Sequence, residues 1–225
     1  MMKKLLKNRK GIVGIEAAIV LIAFVVIAAA LSYVVINMGF FTTQKTKETM
    51  QSGLDESLSA LQLDGVVTGK TNDQNRIEWI VFPVKLSAGR ASIDLKNGTL
   101  VMSVYLPDAT LLNLYQGVYN ETLYGTDPID LETVLDNMTS IFQGKENEGM
   151  AMGIIYNDDG DTVLESTEKA FLIIHLDDNP PSGIRHTMVD YDEVKVEVKG
   201  AKGAALTIVR MAPGGMLPNS YIDLG

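Results

Sequence analysis

The chain has no cysteine in its 225 residues. Disulfides, thiolate metal sites and a cysteine nucleophile are thereby excluded, so the folded part is held by packing and hydrogen bonds. Histidine is nearly as scarce, with two copies, His175 and His186. His175 closes an apolar run and His186 lies in a loop-like stretch, which reads as structural or solvated rather than catalytic. No G-x-S-x-G, phosphate-loop or H-E-x-x-H pattern occurs, so the chain reads as no enzyme. Positive charge is sparse except at the start. Five of the 19 basic residues (Lys3, Lys4, Lys7, Arg9 and Lys10) precede Gly11. The chain beyond Gly11 carries 14 basic against 28 acidic residues, a balance that repels nucleic acid and favours solubility.

Charge of either sign is missing from Ala17 to Gln44, 28 consecutive positions. About 20 apolar residues span a bilayer as a helix. One reading is a plain anchor with its basic end in the cytoplasm. An ordinary secretory signal does not fit, because its apolar region is about 7–15 residues and ends at a small-residue cleavage site. The order basic, glycine, apolar has another consequence. A cut after Gly11 removes Arg9 and Lys10 with the other charges and leaves the apolar helix on the mature chain. Ile12 then becomes the N-terminus and Glu16 lies within its first helical turns. A charged side chain at a helix centre in membrane costs about 2.5–3.5 kcal/mol unless a positive partner is near. Two partners are open to Glu16. One is the α-amino group of Ile12 on a neighbouring chain, which would align successive subunits. The other is the positive end of its own helix, worth about 0.3–1 kcal/mol.

"RKG" followed by "IVGIEAAIVLIAFVVIAAALSYVVINMGFF" resembles the class III signal peptide and N-terminal helix of archaeal flagellins (archaellins), relatives of type IV pilins. The resemblance implies cleavage after Gly11 by a prepilin-type peptidase. It also matches Gly14 to a glycine of the family pattern, and "VVINMG" to the asparagine-containing turn that ends the apolar run. Glu16 departs from it: many archaellins carry a small or polar residue there, and type IV pilins a glutamate.

The helical pattern continues past the apolar run. Met50, Leu54, Leu58 and Leu61 recur at spacings of four, four and three, which predicts one helix over 12–63. Such a helix is about 75 Å long, more than its own small domain can cover, so it asks for copies of itself. Small residues such as Ala17, Ala18, Ala28, Ala29 and Ser32 let helices approach closely. "DGVVTGKTNDQN" reads as a linker. After it the period changes to two. "RIEWIVFPVKL", "RASIDL", "TLVMSVYL", "GMAMGIIY", "KAFLIIHL", "DEVKVEVK" and "AALTIVRM" read as strands, with a short helix in "DPIDLETVLDNMTSIF". The fold class expected is α+β: a long N-terminal helix, then an antiparallel β-sandwich head, Ig-like or barrel-like. The domains are 1–11 signal peptide, 12–63 helix and 64–225 head. "DGDTVLESTEKAFLIIHL" and "GAALTIVRMAP" resemble the closing strands of the archaellin head. The middle, about 70–150, carries no such match and reads as a variable outer surface.

Two further sets of residues are candidates. Asn157, Asp159, Asp161, Val163, Glu165 and Glu168 fall at positions 1, 3, 5, 7, 9 and 12 of a Ca²⁺-loop spacing, but Thr162 stands where that loop has its glycine. A solvated hairpin turn is the competing reading. Asn97, Asn120 and Asn137 open glycosylation triplets, though Asn97-Gly98 is also a hairpin-turn pair. The resemblance implies a structural subunit of the archaeal flagellum. Its partners are identical subunits in a helical homopolymer, minor flagellins, the peptidase, and the membrane as an assembly intermediate. No cofactor is expected beyond a possible Ca²⁺. The implied location is an extracellular cell-surface filament. An archaeal adhesion pilin is the alternative.

Overall fold

The computed structural model describes residues 10–57, 60–88, 92–119, 131–142, 151–157, 160–176 and 186–225. The chain divides into two units, Met1–Leu54 and Asp55–Gly225. The described residues of the first belong to one helix, α1, Lys10–Ser57, of 48 residues, about 72 Å long at 1.5 Å per residue. Nothing in its sequence stops it: proline is absent and Gly39 and Gly53 each cost only about 1 kcal/mol. The helix ends earlier than the Met50–Leu54–Leu58–Leu61 spacing predicts. Leu61–Leu63 is instead strand β1. Leu61 is 2 % exposed, and burying that side chain in the head outweighs one more helical turn.

The head packs two sheets face to face. Its large sheet contains β1, β2 (Thr68–Thr71), β3 (Ile77–Leu86), β7 (Tyr115–Val118), β8 (Ala151–Tyr156), β10 (Lys169–His175) and β13 (Tyr221–Asp223). The order is β13-β2-β3-β10-β8-β7, with β1 also paired to β3. All pairs are antiparallel except β7 with β8. The second sheet has the order β12-β11-β5-β6, from Leu206–Met211, Glu193–Lys199, Val101–Tyr105 and Thr110–Leu111. A short pair, β4 (Ser92–Asp94) with β9 (Val163–Glu165), lies outside both.

Alternation places the core between the sheets. Ile80, Phe82 and Val84 of β3, Leu172 and Ile174 of β10, Met102 and Val104 of β5, and Val194, Val196 and Val198 of β11 share one buried cluster. The opposite side chains of β3 and β10, Trp79, Val81 and Ile173, form a second cluster with Val134, Leu135 and Met138 of helix α2, Leu131–Phe142. Both faces of the central strands are therefore covered. Gly153 in β8 is required by this packing: a Cβ there would lie 2.9 Å from the Tyr115 hydroxyl, which donates to the Leu95 carbonyl at 2.7 Å.

The "DGVVTGKTNDQN" stretch is not a linker throughout. Thr68–Thr71 pairs with β3 and β13, because Val67 and Thr71 are buried and the C-terminal strand supplies the neighbour. Among the described residues, four of the five non-glycine residues in the left-handed region are asparagines; the fifth is Tyr191, at φ 66°. A bulky side chain there is a true outlier, costing on the order of 1–3 kcal/mol.

Candidate assembly surface

Every described side chain of α1 from Gly14 to Leu54 is exposed. Ile15, Leu21, Phe24, Ile27, Leu31 and Phe40 are between 60 % and 71 % exposed within the chain. The apolar residues are spread around the whole circumference and have no polar back. A helix apolar all round is one that is surrounded. The hydroxyls on it do not oppose such packing. Ser32, Thr43, Thr46 and Thr49 each donate to the carbonyl four residues earlier, at 2.7–2.9 Å, so they need nothing from a neighbour. Beyond the apolar run the surface turns polar, with Lys45 paired to Glu48 at 2.6 Å.

The residues expected to be processed fall at the helix start. Gly11 and Ile12 lie on helical backbone continuous with Lys10, while Arg9 is outside the described residues. Gly14 has open space around its α-carbon, with no atom within 4 Å of a Cβ placed there, as a close helix approach needs. Glu16 is exposed and is the one carboxylate between Gly14 and Gln44.

The acidic loop is only partly described. Asp159 lies outside the described residues, and no group of three or more His, Asp or Glu that could hold a metal occurs among those described. Asp161 Oδ1 accepts from the Val163 amide at 2.6 Å and Glu168 Oε2 from the Glu165 amide at 2.9 Å. Val163 and Glu165 belong to β9. The Ca²⁺ reading gives a plain expectation. A metal selective for the folded state raises its melting temperature by mass action. Calcium added to a metal-free sample shifts the head transition upward if the loop binds; with no shift, Asn157–Glu168 is a turn.

The glycosylation triplets differ. Asn97 is exposed in the turn before β5, Asn137 is half-buried on α2, and Asn120 lies outside the described residues. His175 is buried at the end of β10, with Nε2 3.0 Å from Glu78 Oε1 and its ring 4.1 Å from Trp79. His186 is half-buried in the chain just before Met188, which bonds Ile77 through the backbone.

Among the described residues the head surface carries charge networks, around Asp64, Glu132 and Glu197, that the sequence did not reveal. Asp64 accepts from Lys169 and Lys85, which together hold its carboxyl below the ordinary value. Lys70 and Tyr221 do the same for Glu132. Glu197 is lowered chiefly by Lys195, which is raised in turn. Lowered carboxylates stabilise the fold above their unfolded pKa, near 3.8 and 4.5, and lose that share as pH falls through the folded values. A raised lysine contributes below 10.5 and loses its share as pH climbs further. The head melting temperature is therefore expected to be flat from about pH 5 to 9 and to drop on both sides. A maximum confined to either extreme would contradict these assignments.

Comparison with known proteins places this geometry among filament proteins. A sequence model of archaeal-type flagellin matches residues 11–210, and so includes the middle region that carried no recognisable pattern. The chain is similar to probable flagellin 1 of Aeropyrum pernix, 40 % identical over 220 residues, covering 98 % of this chain and 100 % of that one. It is 31 % identical over 220 residues to probable flagellin 2 of Archaeoglobus fulgidus, covering 94 % and 93 %. Among solved structures, the archaeal flagellum of Methanospirillum hungatei strain JF1 is 25 % identical, with TM-score 0.50, covering 90 % of this chain and 94 % of that one. The crystal structure of archaeal flagellin FlaB1 from Methanocaldococcus jannaschii shares the fold at TM-score 0.54 and 19 % identity, covering 73 % and 95 %.

Proposed function

Because the chain belongs to the archaeal-type flagellin family, we propose a working cycle for it as a structural subunit of the archaeal flagellum. The precursor is held in the membrane by α1, whose stretch Gly14–Glu56 is long and apolar enough to cross one. A prepilin-type peptidase cuts after Gly11, removing the basic segment. The mature chain leaves the bilayer by exchanging lipid for other copies of α1. The observation that carries this reading is the all-round exposure of the charge-free run. Its apolar surface exceeds the ~300–600 Å² of the largest patch on an ordinary monomer. Burying such area is favourable by about 25 cal/mol per Å², which offsets the cost of association. A repeated heterologous contact that does not close gives a filament. The relatives it resembles are flagellins, which favours motility over the adhesion pilin. The acidic heads then form the outer surface of an extracellular appendage, with Asn97 the better exposed of the two described acceptors for a glycan.

Glu16 refines the assembly step. Placed in the apolar core, its carboxylate is stabilised by the Ile12 amine of another subunit, a pairing that exists only after cleavage. The test of the cycle is Gly11→Val. It blocks the cut, leaves full-length precursor in the membrane fraction and yields no filaments. Intact-mass measurement of native wild-type protein gives Ile12 as the first residue; a native chain still beginning at Met1 would overturn the proposal.

A further inference from the structure

The four-stranded sheet is chemically polar along its strands. At one end β11 begins and β5 and β12 finish. Residues 106–109, 187–193 and 211–217 there carry Asp108, Asp190, Asp192 and Glu193, with Arg210 of β12 beside them donating to the Gly225 carbonyl. At the other end β11 finishes, and residues 95–100 and 199–205 carry Lys96, Lys199 and Lys202, with Asp94 beside them accepting from the Lys96 amide at 2.8 Å. The two ends are separated by the seven residues of β11, about 20 Å at ~3.3 Å per residue. Each end also exposes apolar side chains: Tyr191 at 72 % and Met211 at 59 % on the acidic end, Val101 at 43 % on the basic end.

The acidic end is rigidly built. The Tyr191 amide donates to the Ala212 carbonyl at 3.0 Å, and the Ala212 amide to the Asp192 carbonyl at 2.9 Å. Asp190 Oδ2 accepts from the Gly215 amide at 2.8 Å and Asp192 Oδ2 from the Val189 amide at 2.9 Å. These bonds hold Tyr191 in its left-handed conformation, with its ring against Gly214, where any Cβ would collide with the hydroxyl. Core packing does not account for the strain, since the ring is presented to solvent. Strained residues persist where the surroundings over-determine them, and they cluster at functional sites.

We propose that the acidic, Tyr191-bearing end of one head docks on the basic Lys199–Lys202 end of the next copy of the same chain. The proposal rests on the filament reading and assigns a surface to it. The partner is identified by complementarity: the two ends are opposite in charge and both carry exposed apolar groups. The contact is also heterologous, so it repeats along a helical polymer without closing. Opposite charges fix the register of successive heads and repel inverted ones.

The test uses the full-length chain. It has no cysteine, so introduced thiols report alone. Filaments of Met211→Cys with Ala201→Cys, treated with a short bis-maleimide, are expected to give a ladder of dimers, trimers and higher species. Each single variant stays monomeric. Intact filaments of the double variant with no ladder overturn the docking, as do dimers from a single variant, which would mean like ends meet. Separately, Glu193→Lys and the pair Lys199→Glu with Lys202→Glu each raise free subunit about tenfold at low salt, equivalent to ~1.4 kcal/mol, and combining them restores assembly. A combination no better than the worse parent overturns the charge pairing. Loss of filaments from the wild-type chain itself would instead sink the filament reading, and electron microscopy before cross-linking separates the two failures.

Discussion

Val26→Glu is expected to abolish filament formation. Val26 stands near the middle of the charge-free run and is 61 % exposed within the chain. In the proposed assembly that surface meets other copies of α1 and no water. Placing a carboxylate there costs about 2.5–3.5 kcal/mol per chain on insertion scales, roughly a hundredfold in the equilibrium for adding each subunit. Every subunit carries the same defect, so the penalty recurs along the polymer. Val26→Ile, which keeps the apolar surface, should assemble normally. Sedimentation and electron microscopy of secreted material read the difference. The head transition should be unchanged in both, because Val26 belongs to the other unit. Normal filaments from Val26→Glu would mean that α1 does not line a dry core.

The second large effect concerns the head. Phe82→Ala should lower its stability by about 3–5 kcal/mol, the usual cost of truncating a fully buried aromatic ring. Phe82 has no exposed surface and lies in the cluster between the two sheets. Its strand is paired on both sides, with Leu172 directly opposite on β10, so the site has little freedom to collapse. For a head of this size the loss corresponds to a fall of roughly 10 °C in melting temperature. Thermal unfolding of the assembled protein measures it. A shift of under about 2 °C would mean that the inter-sheet core is not what holds the head.

These two positions also show why parts of the structure were legible in sequence and others were not. Val26 sits in a run whose length, lack of charge and position after "RKG" each point the same way. Phe82 lies in "RIEWIVFPVKL", apolar enough to declare a strand, while its cover on both faces shows only in the packed structure. Val194, Val196 and Val198 declared β11 by strict alternation with charge. Shorter strands gave no such signal. Thr68–Thr71 carries a glycine and a lysine and is a strand only because β3 and the C-terminal segment flank it. Leu61 kept helical spacing with Met50 and Leu54, yet the sheet took it. β9 was hidden inside the Ca²⁺-like spacing, whose alternate acidic residues also fit a turn leading into a strand. The assembly surface was readable because it is a property of composition. The charge networks around Asp64, Glu132 and Glu197 were not, because their partners are brought together only by strand pairing.

The central claim is that the working form is a helical polymer with α1 at its axis and the β heads outside. A reconstruction of native filaments tests it most directly. The expected result is a dense central bundle of helices, each beginning at Ile12, surrounded by separate two-sheet heads. Sheets at the axis with the helices around the perimeter, or native particles that are single chains anchored in a membrane, would contradict it.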